Sequence, residues 1–369
     1  MIELYSFALL AILGFVLVNG WFMPRLKGGA VPPVEPAPLV SILVPLRDEE
    51  RNVGLLIESL KELTYPKMEF IFLDDGSQDQ TLDLLRTETK HLEHSRVIKG
   101  APLPEGWVGK VHACYQLGME AKGAYLLFLD ADIRLRSHTV EKTVRLSQKK
   151  NAGLISGFPR FPVHSLLGRL LVPLQHVIIY VHLPLFIANH TMMSRASAAH
   201  GSFMFFSRCA YENVQGHRAV ASSLVEDVHI TRAVKEAGGR AILANITNVA
   251  SCYMYESNRE VWNGFLKNIF AGIGRSYLVA SCIILFYSFF FILPLPLAVW
   301  GVLSGSYQLG IPLLITWMMR LLVDLRTKQN PFLCLLMPFS SMVLVVILVT
   351  SIHRTRVGDG FEWKGRRYK

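Results

Sequence analysis

Three short apolar runs in this chain each end in a cluster of carboxylates, and no other feature limits its possible folds so tightly. Leu43-Val44-Pro45-Leu46 leads into Arg47-Asp48-Glu49-Glu50, Ile71-Phe72-Leu73 into Asp74-Asp75-Gly76-Ser77, and Leu126-Leu127-Phe128-Leu129 into Asp130-Ala131-Asp132. The runs have the length of buried strands, while the stretches between them repeat apolar residues at helical spacing, as Val53, Leu56, Ile57, Leu60 and Leu63 do. Strands are expected over residues 39–46, 68–73, 96–99 and 124–130, with helices over 81–88, 111–119 and 225–237. That alternation predicts a doubly wound α/β domain whose parallel strands bring all three clusters to one carboxyl edge. Carboxylates gathered in one crevice repel one another unless a cation or a ligand's donor groups share it. A divalent metal with a nucleotide diphosphate meets that demand. Glu226-Asp227, at the start of the last expected helix, adds a fourth acidic site.

Composition places part of the chain in lipid, because 51% hydrophobic residues over 369 exceeds what a wholly soluble protein carries. Residues 4–23 form an uncharged apolar stretch long enough to span a bilayer. It reads as an anchor over residues 1–24 and not as a cleaved signal, since Glu3 precedes it, no basic start is present and no small-residue cleavage site comes after it. Arg25 and Lys27 directly after the span put the adjoining domain in the cytoplasm by the positive-inside rule. Residues 25–38 contain Pro32, Pro33, Pro36 and Pro38 and read as a stiff linker to a domain over 39–275.

A second apolar region, 276–353, divides into 277–303, 311–325 and 332–352, interrupted by Arg320 and by Arg326-Thr327-Lys328. The outer two segments are span-length, and the middle one is short enough to lie in the interface. Basic residues flank the last segment on both sides, and both flanks cannot be cytoplasmic if it crosses once. A re-entrant hairpin at Pro338, or a middle segment that does not cross, resolves the conflict; the expectation is a basic cytoplasmic tail over 354–369. Residues 166–187 are nearly all apolar, yet Pro173, Gln175, His176, His182 and Pro184 favour an interfacial element over a free-standing span or a core segment.

Several function classes drop out. The net charge of +10 is explained by basic residues beside membrane segments, and no interleaving of aromatic and basic residues points to nucleic acid. Five dispersed cysteines give neither a zinc pattern nor a disulfide framework and suit a reduced compartment. Gly109-Lys110 lacks the rest of a phosphate loop, and no dinucleotide-binding glycine motif comes after a strand. His112, His176 and His182 read as packing or interfacial residues, not metal ligands.

Val40-Ser41-Ile42-Leu43-Val44-Pro45 with Asp48-Glu49-Glu50, then Asp74-Asp75-Gly76-Ser77 with Asp79 and Thr81, then Asp130-Ala131-Asp132 and Glu226-Asp227, together resemble glycosyltransferase family 2. Gly106-Trp107-Val108-Gly109-Lys110 and the terminal Glu362-Trp363-Lys364-Gly365-Arg366-Arg367-Tyr368 are similar to a membrane-bound subgroup, the diaponeurosporenoate (carotenoid) and hopanoid-associated glycosyltransferases. The resemblance implies a GT-A fold, α/β with a Rossmann-like, doubly wound mixed sheet, carried between amino- and carboxyl-terminal transmembrane helices. It implies an inverting, metal-dependent hexosyltransferase at the cell membrane, with Mg²⁺ or Mn²⁺ as cofactor, a UDP-sugar as donor and a lipid, favouring a carotenoid acid, as acceptor. Ceramide, diacylglycerol, hopanoid and polyprenyl phosphate stand as other acceptors, and a non-catalytic nucleotide-sugar-binding scaffold as the alternative from another class.

By the same resemblance Asp75 accepts a hydrogen bond from uracil, with Pro45, Arg47 and Glu49 bordering the nucleoside. Asp130 faces the ribose and diphosphate, Asp132 and Asp130 hold the metal, and Lys110 reaches the diphosphate. Asp227 is the general base, with Glu226 orienting it. Gly201 and Ser202 stand on the acceptor side. The family's usual Gln/Arg-x-x-Arg-Trp motif is missing from residues 259–268, so Lys267, or Trp363 and Arg366 of the tail with Arg367, are expected to replace it. Asp48 stands where the family commonly has Asn, and with Asp74 it is expected to shape a turn.

Overall fold

The strand-length runs pair as their spacing predicts. The computed structural model describes residues 2–357, 361–363 and 366–368, with side chains through residue 357. Residues 22–160 and 183–253 form one compact unit, and residues 1–21, 161–182 and 254–369 a second. In the first, the strands are β1 (Val40–Leu46), β2 (Met68–Asp74), β3 (Ser95–Lys99), β4 (Tyr125–Leu129), β5 (Ile133–Leu135), β6 (Leu154–Phe158), β7 (Phe203–Ser207), β8 (Ala241–Asn245) and β9 (Ala250–Cys252). Seven of them make one mixed sheet in the order β3-β2-β1-β4-β7-β6-β8, and β5 pairs with β9 in a separate ribbon.

The register explains why the acidic clusters meet. β1 runs parallel to both β2 and β4, with Leu46 beside Asp74 and Leu43 beside Phe128. Their carboxyl ends therefore emerge at the same edge. Val40, Ile42 and Val44 of β1 and Phe70 and Phe72 of β2 are buried with Val53, Leu56, Ile57 and Leu60 of the helix Glu50–Lys61. One strand makes the sheet mixed, as the resemblance implies. β7 runs antiparallel to β4, with Leu129 beside Phe203, so its amino-terminal approach, residues 200–202, also reaches that edge. Phe203-Met204-Phe205-Phe206 is a continuous apolar run, and such a run fixes burial but carries no sign of direction.

The proline-rich segment is held against this unit and does not stand off as a spacer. Asn245 donates its amide to the Pro24 carbonyl and accepts from the Leu26 amide. Arg145 Nη2 donates to the carbonyls of Pro32 and Pro33, both at 2.6 Å, and Val34 is buried.

The second unit is helical. Among the described residues four helices are long and apolar enough to cross a membrane: Ile2–Phe22, Tyr277–Leu303, Tyr307–Arg326 and Pro331–Val357. The middle carboxyl-terminal segment is thus longer than its apolar core suggests. No hairpin opens at Pro338, which stands in the first turn of the continuous helix Met337–Val357, where a missing amide costs nothing. Four crossings would return the tail to the side of the amino terminus, opposite to the side read from its charge. The apolar helix Leu166–His182 is shorter than a span, and Leu171, Leu174, Val177 and Tyr180 on it are buried. Asn19 donates to the Tyr180 carbonyl at 2.8 Å.

Inside the helix Ile311–Arg326, Arg320 Nε donates to both oxygens of Asp324 at 3.1 and 2.9 Å, and neither side chain is exposed. Removing one partner leaves an uncompensated charge in an apolar interior. Asp324→Ala is expected to cost about 3 kcal/mol or more, whereas Arg320→Met with Asp324→Leu together should stay within about 1 kcal/mol of the wild type. Thermal unfolding in detergent distinguishes the two; equal losses would rule out the ion pair as the source.

Candidate active site

The carboxylates at the sheet edge divide into two groups, one closing loops and one lining a cleft. Asp48 adopts a left-handed conformation (φ 49°), which Asp and Asn tolerate better than most residues. Its amide donates to Ser77 Oγ at 3.0 Å, and its Oδ1 accepts from the Gln78 amide at 2.7 Å. The Glu50 amide donates to Asp79 Oδ2 at 3.1 Å, and Glu50 Oε2 accepts from the Gln80 amide at 3.1 Å. Thr81 closes the clasp, its Oγ1 donating to Asp79 and accepting from the Glu49 amide. Burial works against the Asp79 charge, yet the hydrogen bonds from Thr81 and the Glu50 amide hold its carboxyl below the ordinary range. Asp48, Glu50 and Asp79 therefore lock the loop after β1 to the loop after β2.

That lock positions Arg47 and Asp75. Arg47 Nη1 donates to the Asp75 carbonyl at 2.5 Å, and the Asp75 amide donates to the Leu46 carbonyl at 2.8 Å, leaving the Asp75 side chain largely buried at the edge. Glu49 Oε2 accepts from Asn52 Nδ2 at 2.7 Å, and Asn52 Oδ1 accepts from Arg134 at 2.9 Å. Asp74 is buried, and its Oδ1 has no hydrogen-bond partner among the described residues.

The cleft, about 280 Å³ counting space open to solvent, is lined by Pro45, Lys110, Asp130, Gly201, Glu226 and Asp227, with Cys114, Phe128, Met204 and His217 among its other walls. Lys110 rises from the first turn of the helix Gly109–Glu120 and binds two carboxylates, Asp130 Oδ1 at 2.7 Å and Glu226 Oε1 at 3.1 Å. Desolvation alone would depress the ammonium, but the two carboxylates outweigh it and keep Lys110 charged well above its usual range. Glu226 and Asp227 open the helix Glu226–Glu236, where backbone amides favour negative charge. The Val228 amide donates to Asp227 Oδ1 at 2.8 Å. Even so, desolvation in the cleft, followed by the neighbouring Glu226 charge, pushes the Asp227 carboxyl up to about 7. Gly201 comes so close that an added Cβ would lie 3.0 Å from Lys110 Nζ and 3.4 Å from Glu226 Oε1. Ser202 Oγ lies 2.7 Å from His200 Nδ1, beside the start of β7.

Asp132 sits behind Asp130. Cys252 Sγ donates to its Oδ1 at 3.3 Å across the β5–β9 ribbon. Desolvation raises its pKa, and the charges of Asp130 and Glu49 raise it further. No three of the described His, Cys, Asp and Glu side chains are gathered closely enough to hold a metal alone. The donors still fit Mg²⁺ or Mn²⁺: Asp130 and Asp132 offer hard oxygens, their mutual repulsion would be relieved by a cation, and such ions commonly complete their shell with substrate phosphates.

Of the residues expected from sequence, Pro45, Lys110, Asp130, Gly201, Glu226 and Asp227 line one cleft, with Asp132 and Glu49 electrostatically linked to it. Arg47 and Asp75 stand at the loop lock. Lys267 lies on the helix Asn258–Gly272 of the helical unit, and the side chains of Trp363 and Arg366 fall outside the described residues. Cys252, His217 and Tyr211 were not legible as site residues, because antiparallel pairing and a long loop return bring them in from distant positions. Gly216, just before His217, is a local turn signal in that stretch.

The chain matches glycosyl transferase family 21 over residues 4–369. A 4,4'-diaponeurosporenoate glycosyltransferase of Staphylococcus haemolyticus is 23% identical over 241 residues, spanning 63% of this chain and 61% of that relative. Its namesake in Staphylococcus aureus is 25% identical over 340 residues, 89% of this chain and 88% of the relative. A mannosyltransferase of Pyrobaculum calidifontis, solved in complex with GDP-Man and Mn²⁺, shares the fold with a TM-score of 0.55 at 16% identity, covering 97% of this chain and 100% of that one.

A side chain at Gly201 would press on the Lys110–Glu226 pair. Gly201→Val should leave the unfolding temperature within a few degrees of wild type and reduce turnover by about 10-fold or more. Turnover equal to wild type would mean the close approach has no part in the site.

Proposed function

The chain belongs to glycosyl transferase family 21, and from that membership we propose that it is a membrane-bound, inverting enzyme moving a hexose from a UDP-sugar to a lipid acceptor, favouring a carotenoid acid. The observation carrying the reading is the cleft in which Lys110 joins Asp130 to Glu226 beside Asp227. A carboxylate pushed toward neutrality beside a partly exposed ammonium that binds two acidic side chains favours catalysis over a non-catalytic scaffold. The acceptor class draws support from the names of the two staphylococcal relatives and from four helices able to cross a membrane. Arg25 and Lys27 support a cytoplasmic catalytic unit.

In this reading Asp75, with Arg47 holding its backbone, receives the nucleobase, and Pro45 and Glu49 border the nucleoside. Asp130 and Asp132 would hold Mg²⁺ or Mn²⁺, which when bound neutralises part of the diphosphate charge. Lys110 exchanges its two carboxylate partners for the departing diphosphate, following the charge as it develops. Asp227 takes the proton from an acceptor hydroxyl while that oxygen attacks the anomeric carbon opposite the diphosphate, inverting its configuration. Glu226 keeps Lys110 and Asp227 together at the helix start.

The acceptor's own acidity separates two outcomes. With a hydroxyl lipid, Asp227 must be ionised, so kcat/KM should rise with pH through about 7, and Asp227→Asn should lose about 10²- to 10⁴-fold. A carotenoid acid is already a carboxylate at neutral pH, needs no base, and should show no such rise and a smaller loss. The measurement is UDP release from UDP-glucose by reconstituted protein with Mn²⁺, each acceptor in turn, followed by mass spectrometry of the lipid. No release with any UDP-sugar and either acceptor would refute the proposed activity.

A further inference from the structure

His217 lines the cleft beside Lys110 and is 3% exposed, yet no step of the proposed transfer uses it. It comes after two left-handed residues in succession, Gln215 (φ 58°) and Gly216 (φ 55°). A non-glycine residue in that conformation is strained and persists only where its surroundings enforce it. A Cβ at Gly216 would run into the Tyr211 ring, so the turn is pressed onto that tyrosine.

The hydrogen bonds of Tyr211 assign the histidine's proton. The His217 amide donates to Tyr211 Oη at 3.4 Å, and Oη lies 2.8 Å from His217 Nδ1. Burial raises the phenol, so it keeps its proton. Among the described residues Nδ1 is the only acceptor within reach of Oη, so the proton the phenol keeps goes to Nδ1. Burial, with a smaller contribution from Lys110, pushes the imidazolium pKa down to about 3, so the ring is neutral. A neutral imidazole that accepts at Nδ1 carries its hydrogen at Nε2. Phe128 and Phe206 pack on the ring, their centroids 4.6 and 6.4 Å away, and fix its plane.

We infer that His217 is a donor-substrate-binding residue whose Nε2–H gives a hydrogen bond to a phosphate oxygen of the nucleotide diphosphate in the cleft. It complements Lys110: one supplies charge, the other a neutral donor locked in one tautomer by Tyr211. The inference rests on the proposed function, since it takes the cleft to hold a sugar nucleotide.

The test uses the full chain in detergent, with calorimetric titration of UDP in the presence of Mn²⁺. His217→Phe keeps an aromatic ring and removes the donor, and should weaken UDP about 10- to 100-fold, as expected for a hydrogen bond to a charged group. His217→Gln, whose amide nitrogen can occupy the Nε2 position, should recover most of that loss. UDP affinity unchanged in His217→Phe, or as weak in His217→Gln as in His217→Phe, overturns the inference. Should His217→Phe fail to fold, NMR of histidine-labelled wild type decides: an Nε2-protonated resonance that shifts on adding UDP supports it, and an Nδ1-protonated or unresponsive ring overturns it. Wild type that binds no UDP would sink the proposed function as well, whereas wild type that binds and turns over beside an unaffected His217→Phe sinks this inference alone.

Discussion

The cleft depends on one ammonium. Lys110, from the helix Gly109–Glu120, bridges Asp130 at the end of β4 and Glu226 at the start of another helix, 2.7 and 3.1 Å away. Without a cation there, Asp130, Asp132, Glu226 and Asp227 would converge on one partly desolvated space, and the sheet edge would favour proton uptake or separation. A lysine suits the task better than an arginine, because a compact charge on a flexible stem can change partners without changing the fold. Gly201 makes room for the ammonium, since any Cβ there would stand 3.0 Å from it.

Residue type alone did not separate the carboxylates that build the edge from those that face the cleft. Asp48, Glu50 and Asp79 look as reactive in sequence as Asp130 and Asp227, but each spends its oxygens on backbone amides of the facing loop or its own turn. Such bonds are local, and Asx-type chemistry hinted at them for Asp48. What identifies the other group is incomplete compensation. Asp132 and Asp227 keep raised carboxyl pKa values, since their hydrogen bonds fall short of offsetting desolvation and neighbouring charge.

The sheet edge was legible because a strand-length apolar run, its helix and its terminal carboxylates are all local signals. β1, β2 and β4 derive directly from them. The direction of β7 was not, since Phe203-Met204-Phe205-Phe206 reads the same either way, and that direction delivers Gly201 to the site. Cys252 was opaque for the same reason: it meets Asp132 only because β9 pairs with β5, about 120 positions earlier. In the helical unit, hydropathy marked the spans but not how polar residues would be compensated. Arg320 divided an apolar stretch in sequence, whereas in the fold Asp324, one turn later, neutralises it within a single helix.

The acceptor side poses the sharper physical question. In the proposed transfer the base is Asp227, and a carboxyl pushed up to about 7 is weakened as a base near neutral pH while its acid form can donate a hydrogen bond. A hydroxyl acceptor is served by the ionised form. A carboxylate acceptor is repelled by that form and held by the protonated one. Desolvation and the adjacent Glu226 charge push the Asp227 carboxyl toward neutrality, where both forms are present. In the proposed transfer, acceptor choice is then coupled to the protonation of Asp227, and a carboxyl there returned to an ordinary carboxylate pKa should disfavour an acid acceptor relative to an alcohol.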